Sequence, residues 1–419
     1  MQSEAAVVII GGGIFGCSIA YHLAKQGQRD VVLLERNAIA SGTTPMAAGL
    51  VPQVRATELL SRALTYSLEL FENFERETGC SAGFHQVGSL KLALNDARIQ
   101  EMEDNIALGR KLGIEIDFIT PAQAQALVPI LHLDGVKAIT FAPRDGFVNP
   151  HLTAVGLATA AHRLGVTLRT HTRVTGLTLG SHGEHLVHTA AGDIRTPVVV
   201  DAAGAWARAL GQGVGLHVPV TPIRHQYCIT APLPGVRATQ PVLRFPDLNG
   251  YVRQEAGGLL VGGFEAHPCS FDMQELPATF EIKDVPADLA LVRHFTAALQ
   301  PYVPILAEAF IVAERRGLPT VTPDGDFLLG DIPGVPGLYV AAGCCVTGIS
   351  AAPVLGKLLV ELIVDGHASL DITSMHISRF GEQYRDAATL RRACEEVYAH
   401  YYAIGWGKIS IILPKARVR

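Results

Sequence analysis

Val7-Val8-Ile9-Ile10 is an unbroken apolar run that stops at Gly11-Gly12-Gly13 and resumes as Ile14-Phe15-Gly16-Cys17-Ser18-Ile19-Ala20. The pattern predicts a buried strand, a tight turn and a helix. A second apolar run, Val31-Val32-Leu33-Leu34, ends at Glu35 and predicts the next buried strand. Leu60, Leu64, Leu68, Phe71 and Phe74 recur at helical spacing, which predicts a helix over 58–78. A strand over 89–94 and a helix over 96–112 follow. Thr120-Pro121 and Asn149-Pro150 each read as a polar cap followed by proline in the first turn, the second helix ending near Leu164-Gly165. The run Val198-Val199-Val200-Asp201 is a buried strand that stops at Ala202-Ala203-Gly204 and turns into a short helix at Trp206. From Pro219 to Gly263 the period changes to two, broken by Pro and Gly, which predicts a mostly antiparallel sheet roofing a pocket. Its clearest strands are 223–229 and 251–255. Residues 337–343 predict a further buried strand, and 348–364 a helix ending at Asp365-Gly366. The tail over 382–406 is predicted helical with exposed aromatics.

Composition bounds this picture. The chain has 419 residues, which favours two or three domains, and 48% hydrophobic against 17% charged residues describes a well-buried globular protein. A formal net charge of -5 provides no basic footprint for nucleic acid. The seven cysteines include no CxxC pair and fit a reducing compartment; Cys344-Cys345 reads as two small core residues. No Lys or Arg precedes Lys25, so the N-terminus lacks the form of a secretory signal. The uncharged stretch 332–356 is long enough for a membrane span, but its glycines, hydroxyls and Pro353 read as strand, turn and helix. The expectation is a cytoplasmic protein without a membrane span.

Chemistry enters at the first turn. Gly11 permits a sharp turn, Gly13 leaves the backbone open to a pyrophosphate, and Gly16 lets the helix approach the strand. The helix N-terminus offers N–H groups and a positive dipole end to phosphate, and Glu35 suits a ribose hydroxyl. This is a dinucleotide site, and the motif alone does not separate FAD from NAD. Its place at the start of the chain leans to FAD. Ser41, Thr43, Thr44, Ala47, Ala48, Gly49 and Leu50 form a small-residue loop suited to a flat ligand.

These segments, with His225-Gln226-Tyr227, 251–262, 322–325, Gly348-Ile349, Arg379-Phe380 and 402–406, make the chain resemble the D-amino-acid oxidase superfamily of FAD enzymes. It is similar in particular to the flavin domain of sarcosine and dimethylglycine dehydrogenases and to the glycine and sarcosine oxidases. The resemblance implies an α/β (α+β) fold, with a Rossmann-type FAD-binding domain and a second, mostly antiparallel β-sheet substrate domain. The cofactor domain is expected from 1–80, 140–215 and 306–370, the substrate domain from 81–139 and 216–305, and a helical tail from 371–419. Cofactor contacts are expected from Gly11, Gly13, Ile14, Phe15, Gly16, Glu35, Arg36, Ser41, Thr43, Thr44, Met46, Ala47, Ala48, Gly49, Leu50, Val174, Ala203, Gly204, Trp206, Gly343, Gly348, Ile349 and Ser350.

The implied reaction is oxidation of an amino acid at the carbon next to nitrogen, with hydride passing to flavin N5 and water hydrolysing the imine. O2 is the expected acceptor, giving H2O2. The alternatives are a dehydrogenase that passes electrons to a protein or quinone, and a flavoprotein assembly subunit without turnover. His225, near neutral pKa, is expected to take the proton from an ammonium substrate, and Tyr251 to orient it. Without the resemblance, His225 reads as a histidine satisfied by a backbone carbonyl inside a sheet. Arg55 is expected to clamp the carboxylate; Arg253 either joins it or pairs with Glu255 on the surface. Three departures qualify the resemblance. Met46 stands where the dehydrogenases carry flavin on a histidine, and Gly317 where monomeric sarcosine oxidase uses a cysteine, so the FAD is expected to be noncovalent. The sequence stops at Arg419, where the dehydrogenases continue into a folate domain, so no folate transfer is expected. Pro319 stands where glycine oxidase places its carboxylate-binding arginine.

Overall fold

The structure, a computed structural model, describes residues 3–55, 57–180 and 183–405. A six-stranded sheet has the order Leu328–Asp331, Leu338–Ala342, Val198–Asp201, Val7–Ile10, Val31–Leu34, Thr167–Arg169. Only Leu328–Asp331 runs antiparallel to its neighbour. All residues of Val7–Ile10 and Val31–Leu34 are buried, as continuous apolar runs in a parallel sheet require. Helices Ile14–Lys25, Pro150–Arg163 and Gly348–Asp365 share one hydrophobic core on one face.

The connection after the first strand shows why its glycines are there. Gly11 has φ +113°, and a Cβ on it would lie 2.4 Å from the Ala202 carbonyl oxygen. A Cβ on Gly16 would lie 1.9 Å from the Gly11 oxygen, so the helix rests directly on the turn. The carboxyl ends of three parallel strands, at Ile10, Leu34 and Asp201, stand in register at one edge of the sheet. That edge is where doubly wound sheets open a ligand crevice.

An eight-stranded sheet has the order Ile311–Gly317, His225–Thr230, Gly258–Gly263, Gly250–Glu255, Val242–Phe245, Ser89–Ala93, Ala138–Ala142, Asp117–Phe118. It is antiparallel except between Val242–Phe245 and Ser89–Ala93. The strands Ile311–Gly317 and Ala138–Ala142 differ from the expected division, which put 306–370 and 140–215 with the cofactor segments. Pairing of His225 with Gly317 and of Leu90 with Phe141 places both in this sheet. Local periodicity does not record which sheet a strand joins.

Two other expectations are corrected. The helix predicted over 58–78 is Glu58–Glu72 followed by Phe74–Thr78, interrupted at Asn73, whose side-chain amide donates to the Glu69 carbonyl. The tail aromatics are not all exposed. Helix Ala387–Ala399 buries Leu390, Cys394 and Tyr398, and Tyr402 beyond it is also buried, in one cluster with Tyr227, Tyr251 and Leu260 of the second sheet and Phe264 just after it. Trp406 lies outside the described residues. No described helix is long and apolar enough to cross a membrane.

Candidate active site

A cavity of about 820 Å³ runs from the turn and Glu35 to the face of the second sheet, within the ~300–1,000 Å³ usual for cofactor and ligand sites. Its first end is built from the cofactor motif. Glu35 accepts from the Gly12 N–H at 2.7 Å and from the Asn37 N–H at 2.8 Å, which fixes its carboxylate beside the turn. Thr44 Oγ1 accepts from the Ile14 N–H at 3.0 Å. A Cβ on Gly13 would meet only that Thr44 oxygen, at 3.3 Å, so the backbone there is open to a phosphate. Arg36 lies over the Trp206 ring at 4.5 Å and donates to the Ala278 and Phe280 carbonyls.

The lining includes Gly11, Gly13, Ile14, Phe15, Glu35, Arg36, Ser41, Thr43, Thr44, Met46, Ala47, Ala48, Gly49, Leu50, Val174, Ala203, Gly204, Trp206, Gly348, Ile349 and Ser350. Two expected cofactor residues stand behind it. Gly16 packs on Gly11, and the Gly343 N–H donates to Thr320 Oγ1 at 3.0 Å. A glycine cradle, a fixed carboxylate and a helix N-terminus at each of Ile14 and Gly348 fit the adenine dinucleotide half and a flavin edge of FAD.

The middle of the cavity is strained. Cys345 and Val346, just before the helix Gly348–Asp365, have φ +43° and +61°. Left-handed backbone is costly for a β-branched valine, about 1–3 kcal/mol, and clusters where a turn must aim backbone at a ligand. A Cβ at Gly317 would lie 3.1 Å from the Met46 Cβ. The two positions at which the resemblance led us to look for covalent attachment therefore abut each other here, and neither has a nucleophilic side chain.

The far wall is one face of the second sheet. Register aligns Arg244 with Tyr251, Tyr251 with Gly262 and Gly262 with Tyr227. Gly262 is needed because a Cβ there would be 2.4 Å from Tyr251 Oη. Tyr251 Oη hydrogen-bonds His225 Nε2 at 2.9 Å, and His225 Nδ1 hydrogen-bonds Tyr398 Oη at 2.7 Å. Burial pushes the histidine down to about 4 and both tyrosines well above their ordinary value. His225 is thus neutral and occupied on both nitrogens. His225 lines the cavity, but its lowered pKa and its two tyrosine partners differ from the expected imidazole of near-neutral pKa.

The arginines separate. Arg55 lines the cavity and its Nη2 donates to Tyr401 Oη at 3.0 Å. Arg253 does not line it: Nε donates to the Ala48 carbonyl at 2.8 Å, Nη1 pairs with Glu255 at 2.6 Å, and the guanidinium covers the Phe147 ring at 4.4 Å. It is a buried tie that holds the flavin-facing loop to the sheet, rather than a surface pair or a clamp. Sequence reasoning missed Arg244, Tyr398, Tyr401 and Tyr402, of which Arg244, Tyr401 and Tyr402 line the cavity. The spacing of Leu390, Cys394, Tyr398 and Tyr402 at successive fours was a readable signal that the tail buries one face.

With the geometry in place, known proteins supply the comparison. Dimethylglycine dehydrogenase of Rattus norvegicus is 35% identical over 417 residues, covering 97% of this chain and 48% of that protein. The chain therefore spans about half the length of that curated relative. Glycine oxidase of Geobacillus kaustophilus (strain HTA426) is 30% identical over 393 residues, covering 90% of this chain and 98% of its own. Among solved structures, L-proline dehydrogenase from P. horikoshii superposes with a TM-score of 0.81 at 29% identity, covering 91% of this chain and 98% of that one. The sequence model of the FAD dependent oxidoreductase family (DAO) matches residues 6–362, and the chain belongs to that family.

Proposed function

We propose that this chain oxidises an N-substituted glycine or related amino acid at the carbon next to nitrogen, on a noncovalently held FAD. The observation that carries this reading is the meeting, in one cavity, of a carboxylate-competent Arg55 with the Tyr251–His225–Tyr398 hydrogen-bond chain, opposite the cofactor turn. Relatives named for oxidation of dimethylglycine and glycine support the substrate class.

Bound FAD supplies the hydride acceptor, at flavin N5. Arg55 offers the substrate carboxylate a two-pronged donor and so fixes which carbon faces the ring. With the His225 proton on Nδ1, that N–H donates to Tyr398 while Nε2 accepts from Tyr251. Tyr251 Oη then presents a lone pair to the cavity and can accept the substrate N–H. An ammonium entering among Tyr251, Phe264, Tyr401 and Arg55 loses water and meets a cation, and both effects favour the neutral amine whose lone pair assists hydride departure. The N-terminal turn of helix Gly348–Asp365 aims backbone N–H groups at the cavity, where they would stabilise negative charge gained on reduction.

Anaerobic mixing with a panel of N-alkylglycines, proline and D-amino acids tests the reading: at least one amine should bleach the flavin, and failure of all of them would reject it. O2 as electron acceptor is part of the proposal. Stoichiometric H2O2 release in air supports it, whereas slow reoxidation in air with fast reoxidation by a quinone supports the dehydrogenase.

A further inference from the structure

We infer that the cavity is built for an N-substituted amino acid bearing a second carboxylate, which Arg244 receives while Arg55 holds the first. The inference rests on the amine-oxidation reading and narrows it to a dicarboxylate.

The buried arginines of this chain are paired with carboxylates. Arg98 pairs with Asp247 at 2.9 Å, Arg224 with Asp288 at 3.2 Å and Glu265 at 3.4 Å, and Arg253 with Glu255 at 2.6 Å. Among the described residues, Arg55 and Arg244 have no carboxylate within 4.0 Å. Both line the cavity, and both meet tyrosines instead of acids. Arg55 donates to Tyr401 Oη; Arg244 hydrogen-bonds Tyr402 and lies 5.6 Å from its ring centroid. Two half-buried guanidiniums that face one pocket with no carboxylate paired to them can each receive an anion from the ligand.

The cofactor's own charge is taken up elsewhere. Its phosphates belong at the Gly11–Gly13 turn and the helix N-terminus, whereas Arg244 sits on the roof strand directly opposite Tyr251. The one acid lining this end is Asp145, which accepts from the Gln53 N–H at 2.9 Å and from Ser89 Oγ at 2.6 Å; it attracts Arg244 without pairing with it, and burial holds its carboxyl above the usual range, which weakens that attraction. Val51, Pro52, Val242 and Phe264 complete the wall with apolar surface.

The two guanidiniums approach from different elements. Arg55 comes from the cofactor side onto Tyr401 and Arg244 from the sheet onto Tyr402, and the two rings are 5.0 Å apart and near perpendicular, at 81°. A monocarboxylate satisfies one and strands the other. A secondary amine with a carboxylate on each arm satisfies both and leaves its nitrogen between them, within reach of Tyr251.

The test uses FAD-loaded enzyme and two kinds of probe. Substrates are N-methylglycine against N-(carboxymethyl)glycine and N-(2-carboxyethyl)glycine; inert analogues are (methylthio)acetate against thiodiacetate, in which sulfur replaces the oxidisable nitrogen. Binding of the analogues is read from the perturbed visible spectrum of the flavin. The diacid should bind at least about tenfold tighter than the monoacid, and the diacid substrates should show a kcat/KM advantage of the same order. Arg244→Ala and Arg244→Gln should collapse both ratios towards one, with Arg244→Lys restoring part, in variants whose FAD content shows that they fold. Equal binding of monoacid and diacid by the unaltered enzyme overturns the inference, as does a ratio that survives Arg244→Ala or one that Arg55→Ala and Arg244→Ala change identically, which would mean a single carboxylate gripped by both. Bleaching by N-methylglycine without a diacid preference leaves the proposed reaction standing and removes this inference; a diacid preference among thioethers with no amine bleaching does the reverse.

Discussion

Replacing Tyr398 with Phe isolates the contact on which the reading of His225 depends. The hydroxyl lost is 2.7 Å from His225 Nδ1, and the two residues are only 2% and 6% exposed, so no bulk water replaces it. The rest of the tyrosine stays in place, because its ring packs against Phe264 at 5.3 Å and against His225 at 5.9 Å between centroids. A buried ring nitrogen without its partner should cost about 1–3 kcal/mol of stability, near the upper value if the imidazole cannot rotate. The tautomer with the proton on Nδ1 also loses its acceptor, so Tyr251 no longer has a fixed direction for its own proton. Flavin reduction by the best amine should therefore slow by about 10²-fold, at the low end of the range for general acid–base groups. Urea unfolding of the FAD-loaded protein, with an unchanged m-value, reads the first effect; anaerobic stopped-flow reduction as a function of pH reads the second. Stability within about 0.5 kcal/mol of the parent together with an unchanged reduction rate would refute the hydrogen-bond chain as drawn.

Other outcomes follow from single contacts. Asp201 is buried with one hydrogen bond, from the Ala203 N–H, and burial pushes its carboxyl from 3.8 up to about 7. A raised folded-state value gives stability that is fully present below 3.8 and lost as pH rises through about 7, so Asp201→Asn should gain up to about 4 kcal/mol at and above neutral pH and almost nothing at pH 4; equal gains at both would contradict this. Gly262→Ala should displace Tyr251, whose hydroxyl lies 2.4 Å from the new methyl, and lower kcat far more than it weakens FAD binding; an unaltered kcat would show that Tyr251 is not needed where it stands. Arg55→Ala should raise KM for every carboxylated amine by at least about tenfold, and an unchanged KM would remove Arg55 from the site. Acid precipitation should leave the yellow colour in the supernatant, since Met46 and Gly317 offer no nucleophile; colour in the pellet would mean attachment through another side chain.

Much of the cofactor half was legible along the chain, because its determinants are local. Strand, glycine turn, helix, strand and Glu35 lie within 35 consecutive residues, and the steric demand on Gly16 comes from Gly11 in the same turn, although Gly11 is itself pressed by the distant Ala202. Helix ends at Thr120-Pro121, Asn149-Pro150 and Asp365-Gly366 were set by capping chemistry that needs only a few residues, and the structure places them there. The substrate half was legible only in part. His225 and Tyr251 were named from the resemblance, yet the ionisation of His225 depends on burial by Tyr398 and Phe264, which are remote in sequence. Arg253 and Arg244 look alike in an alternating strand and share one face of the sheet, and only what packs beside each leaves Arg244 in the cavity and holds Arg253 on the Ala48 carbonyl. The sequence by itself determined where a glycine turn and a helix N-terminus open onto the cavity, because tight turns and helix termini are written in contiguous chain. Tertiary structure decided which charges face the cavity and how burial and pairing shift them, because desolvation and pairing are set by whatever the fold brings alongside.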